Sequence, residues 1–184
     1  MWVVPAAVLG LTALGTVYAA STPRYALYRL GLAMQQHDVA AAERYFDVER
    51  IADGAAEVLV ADYLARQPAP TTTAESYGRQ LAANMAKRRV RPQVVTRVRH
   101  EIRRSVERAG IQATALVLPV GAVAVFRGFT ISGDGPDVWV TYHDPAQGPV
   151  RFRMSRQADR GWQISGFDPE WVRRRVQEEP VRIR

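Results

Sequence analysis

Apolar and polar positions change period three times along the chain. Residues 1–20 carry no charged side chain, and only Thr12 and Thr16 in them are polar. At about 1.5 Å per residue such a run matches the thickness of a bilayer core. Trp2 and Tyr18 stand near its two ends, where amphipathic rings favour the headgroup region. The pattern predicts a transmembrane anchor over residues 1–21 and an α+β domain over 22–184. A cleaved signal peptide is the alternative, because Val17-Tyr18-Ala19 resembles a small-x-small cleavage site. Ala6, Gly10 and Ala13 would give the anchor a small-residue face for close approach of another helix.

Helical periods follow. Thr22-Pro23 predicts an N-cap and first helical position, with Leu27, Leu30 and Met34 on one face. Asp38 and Asp47 predict two more N-caps. After Asp47, the residues Ile51, Ala55, Leu59 and Tyr63 repeat every four positions, as in a helix that Gly54 weakens without ending. Tyr77, Leu81 and Met85 mark another helix, and Pro92 is expected to break it. Val94, Val98, Ile102 and Val106 then predict a further helix with one apolar stripe.

From Val125 the period becomes two. Phe129 and Ile131, then Val138, Val140 and Tyr142, then Val150, Phe152 and Met154, then Trp162 and Ile164 alternate with polar residues. Gly- and Asp-containing turns separate them. This predicts a four-stranded antiparallel meander with one apolar and one more polar face. Asp168-Pro169 predicts the cap of a short final helix. Helices first and strands after give an α+β fold.

Charge is concentrated. Residues 87–108 hold nine basic side chains and two acidic ones, which equals the whole net charge of +7. Arg88, Arg89, Arg91, Arg97, Arg99, Arg103, Arg104 and Arg108 are therefore candidates for docking a partner protein or anionic lipid headgroups. Nucleic acid is disfavoured, because no aromatic side chain lies between Tyr77 and Phe126 to stack on bases. Arginine outnumbers lysine so heavily that much of the run also fits an Arg-biased bacterial composition and a solvated helix face. A second candidate is the polar sheet face, where His143, Arg151 and Arg153 on alternate positions suit an anionic ligand.

Catalytic signals are absent. There is no cysteine, which excludes disulfides, thiolate metal sites and cysteine nucleophiles. His37-Asp38 and His143-Asp144 lack the further ligands of a metal-dependent phosphohydrolase. No nucleophile elbow, phosphate loop or calcium loop occurs. The expectation is a non-enzyme with no cofactor and no metal.

Residues 25–30 (YALYRL), residues 47–64 (DVERIADGAAEVLVADYL), and the closing Arg-rich hairpin with Gly161-Trp162-Gln163-Ile164 occur in the order of an uncharacterised bacterial family. The chain resembles that family of short, N-terminally anchored proteins with a domain of unknown function. The final hairpin is similar to that of nuclear-transport-factor-2-like and cystatin-like domains. The family resemblance implies a bacterial inner-membrane location with the folded part facing the periplasm, and no catalytic residues. The positive-inside rule, through Arg24 and Arg29, points instead to the cytoplasm. The functional expectation is an accessory or scaffold subunit docking on a larger membrane complex of respiratory, photosynthetic or secretion type. An extracytoplasmic small-ligand-binding domain and a peripheral domain binding anionic lipid are the alternatives.

Overall fold

The computed structural model describes residues 21–112, 129–144, 148–159 and 161–178. The described residues form five helices and four strands: α1 Pro23–Gln35, α2 Val39–Glu43, α3 Val48–Ala65, α4 Thr73–Gln112, β1 Phe129–Ser132, β2 Asp137–Asp144, β3 Gly148–Gln157, β4 Gly161–Phe167 and α5 Pro169–Glu178. The architecture is α+β, with the strands in the sheet order β1-β2-β3-β4, each antiparallel to the next. The expected anchor, including Ala6, Gly10 and Ala13, and the whole of residues 113–128 between α4 and β1 lie outside the described residues. Among the described residues no helix is long and apolar enough to cross a membrane.

The predicted caps form. The side chains of Thr22, Asp38 and Asp47 accept hydrogen bonds from the backbone N–H of Tyr25, Ala41 and Arg50. Each satisfies an otherwise orphaned donor of a first helical turn. Asp168 Oδ1 does the same for α5, accepting from Glu170 N at 2.9 Å.

One expectation needs correction. The sequence pattern has Pro92 breaking the helix, yet α4 runs unbroken through it. Proline forfeits one hydrogen bond, to the Arg88 carbonyl, and strains its own turn. Packing on both sides compensates: Arg91 pairs with α3 just before it, and Val94 is buried just after it. Helix α3 forms where the four-residue repeat marks it, but its inward row is a different one. Its buried residues are Ile51, Ala52, Ala56 and Val60, while Tyr63 is 63% exposed. The small Ala52 and Ala56 face inward because they allow α3 a close approach to its neighbours.

One sheet face is the core floor. Register places Val138 opposite Met154 and Met154 opposite Ile164, and all three are buried. Ala26, Leu27 and Leu30 of α1, Ala42 of α2, Ile51 of α3 and Ile102 and Val106 of α4 join them in one apolar cluster. Residues 45–47 continue the sheet past β4. Ile164 N donates to Tyr45 O at 2.8 Å, and Asp47 N donates to Ile164 O at 2.8 Å. This bridge occupies backbone groups on the outer edge of β4. The β3/β4 register slips at Arg153/Met154, and Ser165 sits at the bulge. Buried Ser165 and Ser155 satisfy each other there, with their hydroxyls 2.6 Å apart.

Candidate docking surface

The acidic residues of α3 recur every four positions: Glu49, Asp53 and Glu57. That spacing puts them in one row along the helix. Helix α4 returns antiparallel beside it and presents cations in reverse order. Arg91 reaches Glu49 at 2.7 Å and Asp53 at 2.5 Å, and Lys87 reaches Glu57 at 3.0 Å. Arg99 stands 3.9 Å from Glu49. The Arg91 guanidinium is held above its already high value first by the hydrogen bond it donates to Asp53, then by that carboxylate's charge. Part of the Arg-rich run is thus half of an internal ionic ladder.

Other cations close the ends of the hairpin. Arg79 donates to the Leu64 carbonyl, one of the orphan acceptors at the C-terminus of α3. Arg173 of α5 pairs with Asp62 of α3 at 2.9 Å. Arg97 and Arg104 both lie near Glu101 on their own helix, at 3.7 and 3.6 Å. Four of the candidate arginines remain with no ion pair among the described residues: Arg88, Arg89, Arg103 and Arg108. All four are exposed.

Exposed pairs of this kind contribute modestly, about 0.2–1 kcal/mol each. Arg91 touches two carboxylates and its side chain is 40% exposed. Replacing Arg91 with methionine is therefore expected to lower the unfolding free energy only modestly, because solvent screens a side chain this exposed. The difference from the parent should shrink as salt rises from low values to about 1 M, where the Debye length falls to about 3 Å. Urea titrations at two ionic strengths measure it, and a salt-independent loss would assign the effect to packing of the arginine stem instead.

The outward side of α4 has a different character. Tyr77, Leu81 and Met85 are 71%, 53% and 65% exposed. At about 100° per residue they share one sector of the helix with Arg88, Arg99 and Arg103. One face of α4 is therefore apolar at its N-terminal end and basic further along. Next to the apolar row runs a row of small residues, Ala74, Gly78, Ala82 and Ala86. The last three line an open cleft of about 620 Å³ between the ends of α3 and α4, with Val60, Tyr63 and Leu64 on the opposite wall. Among the described residues, four of the five exposed large hydrophobic side chains belong to this end of the hairpin.

The sheet-face candidates share one face, as their alternate spacing requires. Register sets Arg153 opposite Trp139, Arg151 opposite Thr141 and His143 opposite Pro149. The structure couples Arg151 to Trp139: its guanidinium lies 4.6 Å from the indole ring centre, a cation–π contact. The Arg153 Nε is buried without a hydrogen-bond partner, and its guanidinium lies over Gly166. His143 is exposed. The cleft described above is at the far helical hairpin and includes none of the three. Among the described residues no three His, Asp or Glu side chains cluster as metal ligands would.

Sequence reasoning singled out the cations and missed both their partners and the apolar row. The partners were detectable, since Glu49, Asp53 and Glu57 have the same four-residue spacing as an apolar stripe but opposite sign to the Arg run. Exposure of Tyr77, Leu81 and Met85 was not, because a helical apolar period looks the same whichever way it faces. Compared with known protein families, with curated proteins and with solved structures, the chain matches none.

Proposed function

We propose that this chain is a non-enzymatic, membrane-anchored accessory protein that docks on a larger membrane protein complex. The uncharged residues 1–20 would hold it at the inner membrane, with the folded part in the periplasm. The observation that carries the reading is the outward face of α4, where Arg99 and Arg103 stand exposed beyond an apolar row. Charges placed so steer encounter and fix orientation more than they add raw affinity. The ion pairs of Lys87 and Arg91 with α3 hold an adjoining side of α4, and Arg99 stands at the border between that side and the outward face. The sheet face supports ligand binding less, because Arg151 is already stacked on Trp139.

Extraction in mild detergent followed by native separation tests it. The parent is expected to co-migrate with a larger assembly at low salt and to leave it at high salt. The Arg99→Glu/Arg103→Glu double variant should fail to co-migrate while still folding, because both positions are exposed and Arg99 gives up only its 3.9 Å contact with Glu49. A parent protein that migrates free of any assembly after gentle extraction, with every membrane complex intact in its absence, ends the docking reading.

A further inference from the structure

The apolar half of the α4 face has no cover, and its chemistry is self-complementary. Leu81 is central, with Tyr77 four residues before it and Met85 four after. Turn a second copy of this helix antiparallel about Leu81, and Leu81 meets Leu81 while Tyr77 meets Met85 at both ends. Thioether–aromatic contact is favourable in its own right. Ala74 and Gly78, the members of the small-residue row nearest the ridge, let the second helix come close.

Charge fits the same alignment. Eight residues beyond Leu81 stands Arg89, exposed and without an ion pair among the described residues. Six residues before Leu81 stands Glu75, on the same flank of the helix. In the antiparallel pair they fall within about one helical turn of each other along the axis. Glu75 takes its three hydrogen bonds, from Thr71 N, Thr71 Oγ1 and Thr72 N, on Oε2. Those bonds hold its carboxyl below the usual carboxylate range, the Thr71 backbone bond first, so it is ionised at neutral pH. Oε1 is left for another donor.

We infer that the α4 ridge Tyr77–Leu81–Met85 is covered by a second copy of this chain, in an antiparallel, two-fold symmetric contact that pairs Arg89 of each copy with Glu75 of the other. The contact is isologous, as closed dimers are. It goes beyond the docking reading and is compatible with it, because Arg99 and Arg103 lie outside the paired segment. Confinement to a membrane would raise the effective concentration, so a small interface suffices.

The absence of cysteine makes the test direct. Full-length single-cysteine variants, extracted in mild detergent and exposed to a gentle oxidant, report which residues face each other. Leu81→Cys should give a disulfide-linked dimer in high yield, because the two-fold axis sets its two copies within disulfide reach. Tyr77→Cys alone should give at least tenfold less, since its two copies lie about 12 Å apart along the axis. Mixing Tyr77→Cys with Met85→Cys should restore the linked product. Leu81→Glu should raise the dimer dissociation constant at least tenfold in sedimentation equilibrium, and Leu81 is exposed enough that the monomer will still fold. A parent that is monomeric at every concentration, with its ridge covered by lipid or another protein, overturns the inference. So does self-linkage of Tyr77→Cys equal to that of Leu81→Cys, which would mean a parallel contact. The Arg99→Glu/Arg103→Glu variant separates this from docking, because it should lose the larger assembly and keep the dimer.

Discussion

Replacing Met154 with alanine is expected to remove about 2–5 kcal/mol of unfolding free energy. Met154 is 1% exposed and occupies the middle of the sheet, between Val138 on β2 and Ile164 on β4. Its thioether belongs to the cluster that holds α1, α2, α3 and α4 against the strands. Truncation at that point loses the transfer energy of the removed atoms and opens a cavity whose walls are fixed by the β-ladder, so collapse is poor. Met154→Leu keeps the volume and should cost less than about 1.5 kcal/mol. Met85, which is 65% exposed, provides the internal contrast: Met85→Ala should change monomer stability by no more than about 0.5 kcal/mol. Urea titration of the full chain followed by tryptophan fluorescence measures all three. A loss at Met154 no larger than that at Met85 would contradict the placement of the core.

The strands were legible because a half-buried sheet enforces a period of two, and nothing else in this chain does. Phe152 and Met154 point in, Arg151 and Arg153 point out, and a shift of one residue would bury two arginines. The caps were legible because Thr22, Asp38 and Asp47 act on their own backbone within three residues. What the sequence hid were consequences of neighbours. The continuity of α4 through Pro92 depends on α3, which lies far away in the chain. The choice of Ala52, Ala56 and Val60 over Ala55, Leu59 and Tyr63 as the inward row depends on how closely α3 is approached from several sides. The Arg-rich run was visible as charge, but its division into ladder and free face depends on the antiparallel return that sets Arg91 against Asp53. Local rules predict local features, and pairing between distant rows needs the tertiary register.

Trp162 should be the most costly single truncation in the sheet, for two separable reasons. It is 7% exposed and lies in the same cluster as Met154, so Trp162→Ala is expected to cost about 3–5 kcal/mol. Its indole N–H also donates to the carbonyl of Ser21 at 2.7 Å. Ser21 is where the uncharged N-terminal run meets the fold, so this bond fastens the first turn of α1 to β4. Trp162→Phe keeps most of the apolar contact and deletes the donor. The Ser21 carbonyl loses a partly buried partner, which costs about 0.5–1.5 kcal/mol beyond the change in volume. Loosening of the α1 start should exceed what that global loss implies, because chain ends open locally at low free energy. Exposed Arg24 gives a readout, since trypsin cleaves after arginine once the helix frays. Cleavage after Arg24 under native conditions should quicken more in Trp162→Phe than in Met154→Leu, even where their urea midpoints agree. Equal cleavage rates at matched stability would show that the hydrogen bond does not fasten α1, and that Trp162 acts through packing alone.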